Sequence, residues 1–365
     1  MIGNAVRSQA GAEDRHLRNW LRLALGLLVA AACLHFAMRG TDWSRVRDVL
    51  AGAHPAWLAA CLASAAATLL VRALRWVRLL EPVGAVTLEA ALSATAVGFA
   101  AGVVLPLRLG ELARPLLLDR RTGIGFAPAL SSILVERLLD VAFVALCFFA
   151  LSLAHPLPPA VQVGAQALGI GAAAGLAALV VAQRHRAIAN RWVRAVCRRL
   201  PDRVAGPLAR AAGGLLDGCR ALGDGRTLLR VLGLSLLLWL VTAGVYLCAI
   251  YALAIPAPPI PAALASLVIV AAFVFLPQAP GLVGTWQAGC VVALGLFGVP
   301  RELAAGYSLL TWAAAMLAQV GLGGFFLARD GLSWRDLIAT RAMPRGDRSG
   351  SSPRTPTPDA TPGAP

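Results

Sequence analysis

The sequence predicts an all-α polytopic membrane protein with about six to eight transmembrane helices and two re-entrant helical hairpins in an inverted repeat. Three observations predict it. The 365-residue chain is 58% hydrophobic and 14% charged, with a mean hydropathy of +0.72. A soluble domain carries nearer a quarter charged residues. Apolar runs approaching or exceeding the length of a membrane-spanning helix recur along it. A helix-breaking pattern, Leu-Pro-x-x-x-Gly, closes two of those runs, at Leu105–Gly110 and Leu276–Gly281, 171 residues apart. Proline and glycine inside a membrane segment free backbone groups that lipid cannot satisfy, so such breaks are buried in protein or face a water-filled cavity. Paired breaks at matching places in two halves point to a transport site.

The apolar runs lie at 20–38, 56–71, 88–105, 129–154, 160–183, 228–255, 262–276, 285–298 and 303–328. The first lacks a small-residue cleavage site and is followed by further runs, which makes it a transmembrane helix rather than a signal peptide. The organisation that follows is a cytoplasmic N-terminus at 1–19, a membrane domain at 20–330 and a tail at 331–365. The tail's end, 344–365, is rich in Pro, Ser, Thr and Arg and reads as disordered.

Arginine position sets the orientation. All 33 cationic residues are Arg, giving a net charge of +15. They concentrate in the N-terminus, in 72–81, in the long connection 184–226 and in the C-terminal tail, so all four are expected inside. The connections 155–159 and 256–261 carry no Asp, Glu or Arg and are expected outside. The connection 39–55, with Arg39, Arg45 and Arg47, fits the rule least. Counting crossings from 72–81 to 155–159 leaves the run 88–105 starting and ending on one side. It therefore turns at 106–110 and returns through 111–118. The runs 262–276 and 285–298 form the mirrored hairpin, turning at 277–284.

Several charged residues fall inside apolar sequence: Arg108, Glu111 and Arg114 around the first break, and Glu136, Arg137 and Asp140 within 129–154. Arg72, Arg75 and Arg78 close the second run. A charge at a helix centre costs about 2.5–3.5 kcal/mol on insertion scales, so such residues pair or line aqueous cavities. Glu136 and Asp140 share a helix face, and Arg137 can reach Asp140. Glu111 and Arg114 are expected to meet Glu136, Arg137 and Asp140 in a polar vestibule open to the cytoplasmic leaflet. Either these are neutralising pairs that fix helix register, or they form a lipid-headgroup site. The second break, with Pro277, Pro280, Gly281 and Gly284, has no ionisable group. Its amides at a helix start suit an anion, or the break is a structural bend.

Seven cysteines lie scattered in apolar sequence and five histidines stand apart, so neither a disulfide frame nor a metal site is expected, and no cofactor is. In 184–226, Ile188, Trp192, Val193, Val196 and Leu200 share a helical face, with Arg191, Arg194, Arg198 and Arg199 on others. That is the pattern of an interfacial helix on anionic lipid. Topology already accounts for the basic charge, so no nucleic-acid partner is inferred.

Three strings together resemble the membrane part of lysylphosphatidylglycerol synthases, whose stand-alone versions are called flippase-like proteins. They are Gly-Val-Val-Leu-Pro-Leu-Arg-Leu-Gly-Glu-Leu-Ala-Arg (102–114), Val-Glu-Arg-Leu-Leu-Asp (135–140) and Leu-Pro-Gln-Ala-Pro-Gly-Leu-Val-Gly (276–284). Arg72, Arg75 and Trp76 also fit. The resemblance covers residues 17–330. It implies movement of a lipid, with aminoacylated phosphatidylglycerol the best-known cargo, in a bacterial plasma (inner) membrane with both termini cytoplasmic. The residues after 330 are too few for the soluble aminoacyl-transferring domain, so synthase activity is not expected. Gln287 stands where the family often has Glu, and no Arg follows in 307–312, which argues against a cationic aminoacyl headgroup. The expected function is translocation of a phospholipid or other lipid-linked anionic or zwitterionic headgroup, paired at Arg108, Arg114 and Arg137. The expected partners are anionic membrane lipids, with homo-oligomerisation left open. The alternatives are an intramembrane enzyme using Glu111, Glu136 or Asp140 as acid or base, or a scaffold assisting a separate synthase.

Overall fold

A computed structural model describes residues 24–104, 110–154, 159–199, 202–274 and 279–331. Every regular element among them is helical. In chain order they are α1 (Ala24–Met38), α2 (Trp43–Ala51), α3 (Pro55–Leu80), α4 (Leu88–Val104), α5 (Gly110–Thr122), α6 (Phe126–Ala154), α7 (Pro159–Arg184), α8 (Arg186–Cys197), α9 (Asp202–Gly218), α10 (Gly225–Ala252), α11 (Pro259–Val274), α12 (Thr285–Gly295) and α13 (Arg301–Arg329). Among the described residues α3, α10 and α13 are long and apolar enough to cross a membrane, and the bent pair α1–α2, folded by 81°, makes a fourth if it counts as one span. The helices α4 and α11 are shorter apolar elements.

Local signals explain the boundaries. Asp42 caps α2, its carboxylate accepting from the Ser44 amide at 2.9 Å. Pro55 opens α3, where a missing N–H costs nothing. Asp224 caps α10 through the Thr227 amide at 3.0 Å. The connection 39–55, the poorest fit to the charge rule, is largely the helix α2, tucked against α13 where Val49 faces Gly306.

The element order repeats. A long helix, a helical hairpin and a second long helix occur as α3, α4–α5, α6 and again as α10, α11–α12, α13. The closing helices α6 and α13 are both 29 residues long. The two halves are inverted with respect to each other, because the equivalent helices α3 and α10 pack antiparallel. Trp57 stacks on Tyr251, Cys61 reaches Val245, Ser64 Oγ donates to Val241 O at 2.9 Å, and Arg75 Nη1 donates to Ser235 Oγ at 3.2 Å. Numbers rise along one helix as they fall along the other. Small residues at this seam, including Cys61, Ser64, Ala65 and Gly244, let the two backbones approach closely. The packing is exchanged between halves: α4 lies on α13, and α11 lies on α6.

The hairpins enter this frame from opposite ends. The start of α4 is tied to the end of α13, with Ser93 Oγ donating to Asp330 at 2.7 Å and Arg329 pairing with Glu89. Hairpin α11–α12 instead opens beside the junction of α3 and α10, where the His54 amide donates to Ala252 O at 2.8 Å. The tips converge, with Gly281 seated against Val103 near the end of α4. The first arm and second arm of α4–α5 are pressed together at Gly98, Gly102 and Gly110. An added Cβ at Gly110 would overlap Gly102 N and Gly98 O, so the glycine of the first Leu-Pro-x-x-x-Gly pattern is a contact requirement. Pro106, like Pro277, falls outside the described residues.

Candidate functional site

The ionic residues of the sequence converge at the junction of α3, α5 and α6. Helix α3 does not end at the arginine run, as the apolar run 56–71 implied. It continues to Leu80 and carries Arg72 and Arg75 into the protein. Helix α6 presents Glu136 and Asp140 one turn apart on the face that meets them. Helix α5, returning from the first break, brings Arg114 across α4 at Gly98, where any Cβ would overlap the Arg114 side chain.

The pairings are specific. Arg114 Nη1 donates to Glu136 Oε2 at 3.0 Å, and Arg75 Nε lies 3.7 Å from Glu136 Oε1. Arg75 Nη1 donates to Asp140 Oδ1 at 2.8 Å, Arg72 Nη1 donates to Asp140 Oδ2 at 3.1 Å, and Arg137 Nη1 approaches the same oxygen at 3.7 Å. Aromatic faces complete the shell. The Arg114 guanidinium lies 4.5 Å from the Trp76 ring centre and 5.4 Å from that of Phe99, and the Arg72 guanidinium lies 5.2 Å from the Phe99 ring. These are cation–π distances. Trp76 is held by its Nε1–H to Ser132 Oγ, 2.8 Å.

Arg114, Glu136, Arg137 and Asp140 meet at this junction, but the described side chains are mostly buried where an open vestibule was expected. The side chains of Arg75, Arg114 and Glu136 are at most 1% exposed. The physical reason is the aromatic shell and the close α4–α5 contact, which seal the junction. Among the described side chains its open edge is at Arg137 (36% exposed) and, slightly, Arg72. Arg108 lies outside the described residues, as does the Glu111 side chain. Trp76 belongs to a string singled out in the sequence. Phe99, Ser235 and Thr95, whose hydroxyl accepts from Arg114 Nη2 at 3.4 Å, carry no local signal, because nothing in an apolar run distinguishes a side chain that faces a guanidinium.

Among the described side chains, the cluster holds four guanidiniums and two carboxylates. Arg75 Nη2 and Arg114 Nε are buried without a hydrogen-bond acceptor among the described residues. Guanidinium groups held away from water are costly unless their N–H groups find acceptors.

The corresponding junction of the other half, between α10, α12 and α13, is neutral. Tyr246, Trp286, Tyr307 and Thr311 meet there, with Trp286 Nε1 donating to Thr311 Oγ1 at 3.1 Å. Its break is also closed. The Gly284 amide donates to Gln287 Oε1 at 2.7 Å, and Trp312 Nε1 donates to Gly281 O at 2.7 Å. Backbone angles of φ +72° at Gly281 and +86° at Gly284 demand glycine. Of the two readings of this break, the bend is the one its hydrogen bonds serve. Pro280 opens the short 3₁₀ turn that forms it.

Between the halves lies a cavity of about 110 Å³. Arg72 and Phe99 face it from the ionic half, Tyr246 and Trp286 from the neutral half, and Thr68 and Gln319 add polar groups. A second, apolar crevice of about 370 Å³ runs between α6 and α7, from Leu138 and Val141 to Gly171. It begins one residue after Arg137. No group of His, Cys, Asp and Glu among the described residues is placed to hold a metal ion.

No curated protein matches the chain. The family model described as the lysylphosphatidylglycerol synthase TM region matches residues 23–323, most of the chain's length. The protein is therefore a multi-pass membrane protein linked to lipid handling, and it belongs to the lysylphosphatidylglycerol synthase TM-region family.

Proposed function

We propose that the protein translocates lipid between the leaflets of a bacterial plasma membrane, with the arginine-rich end of the helix frame and both termini in the cytoplasm. In this reading the two hairpins dip into the bilayer from opposite faces, and their tips meet near its middle. The cargo carries a phosphate-bearing anionic or zwitterionic headgroup.

The observation that carries the proposal is the buried ionic cluster at the α3–α5–α6 junction, whose Arg72 edge lines the cavity between the inverted halves. A headgroup phosphate in that cavity meets the Arg72 guanidinium at the edge of the cluster. The apolar crevice beginning beside Arg137 suits an acyl chain whose headgroup sits at that arginine. Glu136 and Asp140 are each engaged by two or more arginines, which supports holding the arginines in place over acid–base chemistry. On that ground the protein is proposed to be a transporter and not an enzyme.

The test is transfer of fluorescent phosphatidylglycerol between leaflets of proteoliposomes, read by dithionite quenching. Arg72→Gln and Arg137→Gln are expected to slow transfer at least about tenfold, the equivalent of one lost charge-assisted hydrogen bond. Transfer at the parent rate in both variants, with the fold intact by thermal melting, would reject the site.

A further inference from the structure

We propose that α8 is a docking face for anionic lipid, held at a fixed place on the frame by α9. This inference is independent of the translocation reading, since it rests on a different part of the chain.

Helix α8 starts at Arg186, two residues after the apolar helix α7 ends at Arg184. Its apolar stripe is split. Val193 is partly covered, but Ile188 is 43% exposed and Trp192 is 70% exposed. An uncovered Trp on a helix this basic is unusual for a surface facing water, because its ring is the side chain best suited to the headgroup level of a bilayer. The helix ends at Cys197, earlier than the sequence pattern through Leu200 implied, so Arg198 and Arg199 follow it in a turn.

The arginines divide by role. Arg186 is turned inward and pairs with Asp217 of α9, which also holds Arg220 at 2.9 Å. Arg191, Arg194, Arg198 and Arg199 are exposed, and none has a carboxylate partner among the described residues. A bare Trp–Ile edge flanked by four unpaired guanidiniums is complementary to a surface that is apolar below and negative above. That surface is an anionic leaflet.

The seat of α8 is firm. Helix α9 packs on the first turns of α6, where Gly214 faces Ala127 and Gly218 faces Pro128 and Ser131. Ser131 Oγ reaches Gly214 O at 3.3 Å. Glu136 lies on the same helix, little more than one turn beyond Ser131.

The experiment is hydrogen exchange of the intact protein in nanodiscs of phosphatidylcholine alone, or of phosphatidylcholine with phosphatidylglycerol. Exchange across 186–199 is expected to slow about fivefold or more in the anionic discs, the factor for one basic side chain at an anionic surface. High salt should reverse the effect. The double variant R191Q/R194Q should lose the lipid dependence while α3 and α10 keep parent protection, which shows that the frame is folded. Equal exchange in both lipids overturns the proposal. So does protection in neutral discs on adding RNA with none from anionic lipid, which assigns the face to nucleic acid.

Discussion

Arg114 on the returning arm of the first hairpin donates to Glu136 on α6 at 3.0 Å, and both side chains are almost wholly buried. This bond fastens a broken segment to a continuous helix, and it does so beside two further arginines on α3. Glu136 is the only described carboxylate that Arg114 meets, while Arg75 shares it at 3.7 Å. Removing the carboxylate therefore leaves two buried guanidiniums facing each other. Glu136→Gln is expected to destabilise the protein by about 3–5 kcal/mol, as for a buried pair broken on one side. Arg114→Met alone should cost a similar amount, and the double variant R114M/E136M less than the sum by about 0.5–3 kcal/mol. Denaturant unfolding in mixed micelles measures all three, and strict additivity would show that the two side chains do not depend on each other.

The hairpin's own packing makes a sharper test. Gly98→Ala places a methyl on Arg114, and Gly110→Ala places one on the α4 backbone, so either is expected to cost about 1–3 kcal/mol or more. Gly102→Ala is the control. Its added Cβ meets nothing within 4 Å among the described residues, although Gly102 lies between the other two in the chain. That substitution should be neutral or stabilise by up to about 1 kcal/mol, since alanine is the better helix residue. Melting curves that ranked the three alike would mean the two arms do not touch as described.

Much of this arrangement was legible beforehand, and the reasons are local. The 171-residue spacing of the breaks signalled two like halves, and helix periodicity put Glu136 and Asp140 on one face. Arg75 was not legible as a buried residue. Arginine after an apolar run is the ordinary mark of a membrane boundary, and its burial depends on Asp140 and Ser235, which are 65 and 160 residues away. The same limit hid Trp312. Nothing near it indicates that its indole closes the carbonyl of Gly281, because that partner is set by how the second hairpin leans on α13. Sequence spacing carries contacts within a helix and loses those between helices.

At the second break, hydrogen bonds take the place of charge. Trp312→Phe keeps an aromatic ring, though a smaller one, and removes the donor to Gly281 O, and Gln287→Leu removes the acceptor of the Gly284 amide. Each leaves a buried backbone group without its partner, at a cost of about 1–3 kcal/mol. Gln287→Glu retains an acceptor oxygen and is expected to keep most of the stability. Thermal unfolding of the three variants checks the order, and a Gln287→Leu protein as stable as the parent would show that the break has another cap.

The Asp224 cap gives a prediction in pH. Hydrogen bonds from the Thr227 hydroxyl, the Thr227 amide and the Arg226 amide hold its carboxyl below the usual carboxylate value. A group whose folded pKa is depressed binds its proton more readily in the unfolded chain. Its stabilisation is therefore complete above the unfolded pKa, near 3.9, and fades as the pH falls through the lower folded value. Asp224→Asn keeps a capping oxygen and removes the titration. The variant should lie below the parent in stability at neutral pH, and the gap should narrow steadily as the solution is acidified past about pH 4. Unfolding temperatures of the two proteins across that range decide it, and a gap that widens in acid would mean the carboxylate is not what secures the start of α10.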